Sequence, residues 1–244
     1  MDAAATRILE AMQAVARLRL GRAANPLLEQ ACLEIKRFQA LRFKATYADL
    51  LQTSRYRRAA QFFLQELYGD EDYAQRDQQF TRIASTIARL FPQAVVETAA
   101  SLAEVHALTE QLDDLMAAQW LLTPAPSPHA RYIACWRQVA DWPARSRQLQ
   151  VVLQLGRELD RLTRMRGLRS LLRMMRAPAS AAGLSSLQAF LEGGFDAFAD
   201  MQGAQEFLAL INSRESAWIA TLFDEDAVTC ETKLHQLLAR APAH

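Results

Sequence analysis

Apolar residues recur three and four positions apart along almost the entire chain, and no window alternates apolar and polar residues over the length of a strand. The first pattern places apolar side chains on one face of an α-helix, whereas a half-buried strand requires alternation. We therefore predict an all-α protein: a compact multi-helix bundle of about nine to eleven helices with no sheet.

Helix boundaries are marked by proline, glycine and capping residues. Asn25 and Pro26 predict a helix start, because the Asn side chain accepts a hydrogen bond from an early backbone N–H and proline fits the first helical position. Gly21 is expected to stop the first helix, and Pro92 and Gly167 mark two later breaks.

The clearest loop is TPAPSP, residues 123–128, which divides the chain near its middle. Hydrophobic residues make up 51% of the 244 positions, enough to build a substantial core without disulfides or metals. We predict a single all-α domain over 1–244, and the alternative division is into halves 1–122 and 129–244 packed together.

The cysteines and the N-terminal charges bear on location. Cys32, Cys135 and Cys230 are widely spaced and form no CxxC pair, which favours reduced thiols and no cysteine-based metal site. Arg7 and Glu10 precede any apolar run, so we expect no signal peptide. The longest uncharged stretch contains three prolines and is not expected to span a bilayer. These features predict a soluble, cytoplasmic protein without a membrane partner.

Charge is unevenly distributed, although the net charge is +1. Residues 131–176 carry eleven arginines against three acids, and residues 177–244 carry nine acids against three basic residues. We expect internal pairing of the arginine-rich helices with the acidic last third, including Glu206 or Glu215 and their neighbours. The arginines expected to pair are Arg166, Arg169, Arg173 and Arg176. The alternative is an arginine surface that binds nucleic acid or phosphate.

Residues 62–77, FFLQELYGDEDYAQRD, place charges where apolar side chains are expected. On a helical wheel Glu66 and Arg55 fall inside the apolar arc of their helix, and Arg76 and Asp77 flank the apolar face of the next helix. Isolated buried charges are costly, so these groups should form a buried ion-pair network with Glu66 bound to Arg76. The alternative is a carboxylate with a perturbed pKa lining a pocket.

Several stretches of the chain resemble one protein family. They are YADLLQTSRYRRAAQFFLQELYG, the RD that follows, LFP, LAEVHALTEQLD and GLSSLQAFLEGGFDAFADMQGAQEFLALINSRE. Together they cover most of residues 45–225 and resemble an uncharacterised all-helical proteobacterial family, a domain of unknown function with an FFLxELYG-type signature. The resemblance implies an α-helical fold and a bacterial cytosolic setting. It implies no activity and no catalytic residues.

His106, Glu110 and Asp113 form a stripe at positions i, i+4 and i+7 of a long predicted helix. Histidine and carboxylates on bundle helices can bind two irons, but such sites use Glu-x-x-His motifs and the chain has none. The stripe is therefore interpreted as an ordinary boundary between polar and apolar faces. HExxH, GxSxG, Walker A and GxGxxG motifs are absent too, so we predict no catalytic residue, metal or cofactor.

Gly193 and Gly194 interrupt an otherwise helical pattern, at a cost of roughly 2 kcal/mol relative to alanine. Close packing of two helices explains them most simply. The alternative is a flat ligand lying against the bare backbone, near Phe195, Phe198 and Met201.

Three functional classes remain open. The leading hypothesis is a non-catalytic cytosolic interaction or scaffold protein, with a protein partner or self-association favoured over nucleic acid. The first alternative is a helical pocket protein that binds an apolar or tetrapyrrole-like ligand, and the second is an arginine-mediated nucleic-acid or phosphate binder.

Overall fold

Helices account for nearly all of the backbone. The computed structural model describes residues 3–67, 73–139 and 142–239, except for the side chains of residues 66–67 and 87–90. Within these residues the chain forms thirteen α-helices and one π-helical turn, and no strand. Their bounds are α1 Ala3–Ala23, α2 Pro26–Thr46, α3 Ala48–Gln52, α4 Arg57–Phe62, the π-turn Phe63–Leu67, α5 Ala74–Leu90, α6 Gln93–Leu122, α7 Pro128–Val139, α8 Trp142–Thr163, α9 Leu168–Met174, α10 Arg176–Ala181, α11 Ser185–Asp200, α12 Gln205–Asp224 and α13 Ala227–Ala239.

The all-α prediction is confirmed. The described residues contain more helices than the nine to eleven expected, because α3, α4, α9 and α10 are each seven residues or shorter. Such short pieces carry too little apolar periodicity to be separated from their neighbours in the sequence.

Local signals set most of the boundaries. The Asn25 side chain accepts a hydrogen bond from the Leu28 backbone N–H, and Pro26 is the first residue of α2. Pro92 precedes α6, and Gly167 has a φ of 82° immediately before α9. The stop expected at Gly21 is wrong by two residues, because α1 continues to Ala23.

The 30-residue helix α6 is central to the packing. Its neighbours are α1, α2, α7 and α8, and its buried positions cover roughly two thirds of its circumference. Helices α11 and α12 pack in turn on α8. One hydrophobic core extends from Ala4 on α1 to Leu234 on α13, so residues on both sides of the 123–127 loop contribute to it.

The paired glycines serve helix packing. A Cβ atom added to Gly194 would lie 2.8 Å from the Phe62 ring, whereas one added to Gly193 would lie 3.8 Å from it. Gly194 therefore allows α4 to approach α11, as the packing interpretation predicts. Phe62 also packs against Phe190.

The three cysteines are buried free thiols on three different helices: Cys32 on α2, Cys135 on α7 and Cys230 on α13. Burial raises the pKa of Cys32 to about 12. Among the described helices, none has the combination of length and apolar character needed to cross a bilayer.

Candidate functional site

Asp77, on α5, is the centre of a buried ion-pair network. One of its carboxylate oxygens accepts a hydrogen bond from Arg19 Nη2 at 2.7 Å and lies 2.9 Å from His106 Nε2. The other oxygen lies 3.5 Å from Arg76 Nε. Burial opposes ionisation, but the hydrogen bond from His106 and the charges of His106, Arg19 and Arg76 outweigh it, so the pKa of Asp77 is below its ordinary value. The carboxylate therefore joins α1, α5 and α6 as an anion.

Glu110 lies one helical turn after His106 and is 3% exposed. Its two oxygens lie 2.8 Å from Arg22 Nη2 and 2.5 Å from Lys36 Nζ. Burial would raise its pKa, but the positive charges of Lys36 and Arg22 dominate and lower the pKa to about 2. Glu110 thus connects α6 to both α1 and α2.

Asp113 is also buried, 4% exposed, and its environment differs from that of Glu110. It accepts a hydrogen bond from Gln39 Nε2 at 3.1 Å, and no cationic group of the described residues forms an ion pair with it. Burial raises the pKa of Asp113 to about 6. The boundary interpretation is wrong for Glu110 and Asp113, because α1 and α2 cover this side of α6.

A second polar cluster lies beyond Asp113, where α2, α6, α7, α8 and α12 meet. The Arg42 guanidinium donates two hydrogen bonds to Glu215, which also accepts one from the Tyr47 hydroxyl at 2.7 Å. The Arg145 guanidinium lies 3.8 Å above the Trp136 ring and contacts the Met116 sulfur. Arg42, Glu215, Trp136 and Arg145 line a cavity of about 50 Å³, together with Asp113 and Tyr132, and we name it the polar cavity.

Among the sequence-predicted network residues, Asp77 and Arg76 are brought together. The Arg76 guanidinium also lies over the rings of Tyr73 and Phe190, at 4.2 and 4.7 Å. The Glu66 side chain falls outside the described residues, so its pairing with Arg76 stays a prediction. Arg19 and His106 are not predictable from the sequence as partners of Asp77, because contacts between distant helices leave no local pattern.

Arg55 does not belong to the buried network. Its side chain is 44% exposed and binds Glu206 on α12 at 2.7 Å. The helical wheel assumes that Arg55 lies on a helix, but residues 53–56 form a turn and α4 begins at Arg57. The position of Arg55 on an apolar arc is therefore wrong.

The arginine-rich helices pair with the acidic last third, as expected for two of the four arginines. The ion pairs are Arg169–Asp196 at 2.7 Å and Arg176–Glu192 at 2.5 Å, both with α11. The predicted pairing of these arginines with Glu206 or Glu215 is wrong, because Glu206 binds Arg55 and Glu215 binds Arg42. Both α11 and α12 carry acidic residues and follow the arginine-rich helices, so the sequence alone does not show which of them pairs with the arginines.

An apolar cavity of about 90 Å³ lies between α6, α8, α9 and α11. Its lining includes Phe62, Phe195 and Gly194. This volume is below the roughly 300–1,000 Å³ of most small-molecule pockets.

A groove of about 680 Å³ separates the outer faces of α1 and α6, and we name it the α1–α6 groove. Its floor is apolar and built mainly of small residues: Ala11, Ala14, Leu18, Ala107 and Leu108. Charged side chains form its rim: Arg7, Glu10, Arg17, Glu104 and Asp114. An apolar centre with a polar rim is typical of protein–protein interfaces.

Metal-ion chemistry requires clustered ligands. In the part of the chain that the structure describes, no group of three or more His, Cys, Asp and Glu side chains is arranged to hold a metal ion.

Comparison with known proteins places the chain in a family. Residues 18–229 match the family model described as "Domain of unknown function (DUF8198)". The chain belongs to this family. No curated protein and no solved structure matches it. The matched DUF8198 region contains every residue that lines the polar cavity, whereas Glu10, Ala14 and Arg17 of the groove precede it.

Proposed function

We propose that the protein is a non-catalytic interaction protein that self-associates through the α1–α6 groove. The observation that carries the proposal is the charge pattern on the exposed face of α1. Glu10 and Arg17 are both exposed on this face, and neither has an ion-pair partner within residues 3–67, 73–139 and 142–239. Unpaired charges of opposite sign on one helix face favour a partner with the reversed order of charges.

A second copy of the same chain has that reversed order. Glu10 and Arg17 are seven residues apart, so they share one face and lie about 10.5 Å apart along the helix. If two α1 helices meet in antiparallel orientation about a two-fold axis near Ala14, Glu10 of each copy faces Arg17 of the other. A two-fold interface thereby forms the same ion pair twice.

The groove floor suits this arrangement. Ala14 lies at the centre of the pairing and has a small side chain, so the two helices approach closely. Leu18 and Leu108 supply apolar surface beside it. The Glu104 carboxylate is already bound by Arg7. Glu10 and Arg17 are therefore the charges expected to determine how the two copies pair.

The alternatives receive less support. The apolar cavity is small for a tetrapyrrole-like ligand. Arg169 and Arg176, which a nucleic-acid surface would use, are bound to carboxylates on α11.

Sedimentation velocity in about 0.1 M salt tests self-association, since surface charge pairs are partly screened at higher salt. We expect the parent protein to sediment as a dimer and Arg17→Glu to sediment as a monomer. The charge swap Glu10→Arg with Arg17→Glu should restore the dimer. Arg166→Glu, which reverses an exposed arginine that does not line the groove, is the control and should remain dimeric.

A parent protein that is monomeric at high micromolar concentration contradicts the proposal. So does a dimer that survives Arg17→Glu, since it would use another surface.

A further inference from the structure

Arg145 is a buried cation without a carboxylate partner. Its side chain is on α8 and is 4% exposed, and no described Asp or Glu lies within ion-pair distance of it. Stacking on Trp136 and contacts with the Met116 sulfur and the Gln148 carbonyl oxygen offset part of the cost of burial. A buried charge is normally paired, so Arg145 lacks the partner that its burial requires.

Other donors in the wall of the polar cavity are also unpartnered. Among the described residues, four buried donor atoms on the residues that line it have no hydrogen-bond acceptor. They are Arg42 Nε, Tyr132 Oη, Trp136 Nε1 and Arg145 Nε. Buried donors without acceptors are rare in folded proteins, and four around one cavity indicate a missing acceptor.

The carboxylates in the wall do not supply it. Both oxygens of Glu215 are occupied by Arg42, and one also accepts from Tyr47. Asp113 accepts from Gln39 but makes no ion pair with Arg145. The cavity wall therefore has more donors than acceptors, and it carries one uncompensated positive charge when Asp113 is protonated.

We propose that the polar cavity binds one small monovalent anion, such as chloride or nitrate, between Arg145 and Tyr132. A volume of about 50 Å³ exceeds the minimum of roughly 10–15 Å³ needed for one water molecule. It admits one small ion but no large ligand. Water alone would satisfy donors without neutralising Arg145, whereas an anion does both. Glu215 and Asp113 in the wall disfavour a divalent anion.

Binding should depend on the protonation of Asp113. The other charged or titratable groups facing this region are Cys32, Lys36 and Arg42 on α2, Tyr47 next to it, Glu110 on α6, Tyr132 on α7, Arg145 on α8 and Glu215 on α12. Burial raises the pKa of Tyr132 to about 12, and Glu110, with its pKa near 2, stays ionised. Asp113, with a pKa near 6, is the group that changes charge. As the pH rises through 6, its negative charge should repel the anion and weaken binding.

Crystals grown in sodium bromide locate the anion directly. We expect an anomalous scattering peak in the polar cavity, within hydrogen-bond distance of Arg145 and Tyr132. Water density without an anomalous peak at that position overturns the proposal.

A second experiment measures affinity in solution. Thermal unfolding is followed while chloride replaces gluconate, which is too large for the cavity, at constant ionic strength. We expect a saturable rise in melting temperature at pH 5.5 and a smaller rise at pH 8. Arg145→Gln should abolish it, and Tyr132→Phe, which keeps the ring, should weaken the apparent affinity at least threefold.

Arg147→Gln changes an exposed arginine on the same helix and should respond as the parent does. If Arg145→Gln does not fold, the Tyr132→Phe variant and the bromide peak together test whether the cavity binds an anion. Equal melting temperatures of the parent in chloride and gluconate at pH 5.5 contradict the proposal.

Discussion

Two carboxylates three residues apart on α6, Glu110 and Asp113, have pKa values displaced in opposite directions. Both are almost fully buried, so desolvation acts on both. Glu110 is within ion-pair distance of Arg22 and Lys36, whereas Asp113 is bound by the neutral amide of Gln39. The presence or absence of a cation, not the depth of burial, decides the sign of each displacement.

Replacing Glu110 with glutamine should destabilise the protein by about 3–5 kcal/mol at pH 7, because Arg22 and Lys36 would stay buried without a counter-charge. Urea unfolding measures the change. In the parent, the folded pKa near 2 is below the ordinary 4.5, so this stabilisation is present above about pH 4.5 and is lost as the pH falls toward 2. Glu104→Gln, at a half-exposed ion pair with Arg7, is the control and should cost about 0.2–1 kcal/mol. An equal loss in both variants would contradict the prediction.

Replacing Asp113 with asparagine should stabilise the protein by about 1–3 kcal/mol at pH 8. The folded pKa near 6 is above the ordinary 3.8, so ionised Asp113 is unfavourable above pH 6 and this penalty disappears as the pH falls through 6 toward 4. Unfolding free energies at pH 4 and pH 8 measure the difference. Asp114→Asn removes a carboxylate that pairs with Arg22, and should give no gain at pH 8. A gain for Asp113→Asn that is the same at both pH values would count against the assignment.

At the scale of helices, the close approach of α4 to α11 depends on the absence of a side chain at Gly194. The Phe62 ring fills the space that a side chain would occupy and packs on Phe190 at 5.4 Å between centroids. The adjacent Gly193 has ordinary clearance from the same ring. The two neighbouring glycines therefore have different roles.

Gly194→Ala should destabilise the protein by about 1–2 kcal/mol, because overpacking against Phe62 outweighs the better helix propensity of alanine. Gly193→Ala has the same propensity gain without the clash and should stabilise by up to about 1 kcal/mol. Thermal or urea unfolding of both variants makes the comparison. If Gly194→Ala is also stabilising, the Phe62 ring has moved into the apolar cavity and the packing argument fails.

Sequence predicted the helices better than their contacts. The cap at Asn25 and the breaks at Pro92 and Gly167 depend on a few adjacent residues, so local chemistry determines them. Asp77 binds Arg19, which lies 58 residues away in the sequence, and no periodicity links the two. The burial of Asp113 was missed for the same reason: a wheel shows which face a residue occupies, and not which helix covers that face.

At the scale of the whole molecule, the 123–127 loop does not separate two cores. The main hydrophobic cluster includes residues of α1, α2 and α6 before the loop and of α7, α8 and α12 after it. Helix α8 packs directly on α6, and α13 on α2. Neither half would keep its apolar surface covered if the other unfolded.

We therefore expect one cooperative unfolding transition for residues 1–244. Far-UV circular dichroism and tryptophan fluorescence should give coincident urea curves, because Trp120 and Trp218 report from opposite sides of the loop. Two separated transitions, or a stable isolated fragment 1–122, would instead indicate two domains.

Because the three thiols are buried, their chemical labelling can report local opening of the helices that carry them. A cysteine alkylates through its thiolate, and the side chains of Cys32, Cys135 and Cys230 are at most 2% exposed, so labelling requires local displacement of a helix. Helix α13 ends the described chain and packs on α2 and α7, the helices that carry the other two thiols. In pulsed labelling with iodoacetamide read by mass spectrometry, we expect Cys230 to be modified first, because α13 packs mainly on two helices, whereas α2 and α7 each pack on at least three other elements. The labelling rates at the three sites then rank the local stability of three helices without any introduced label.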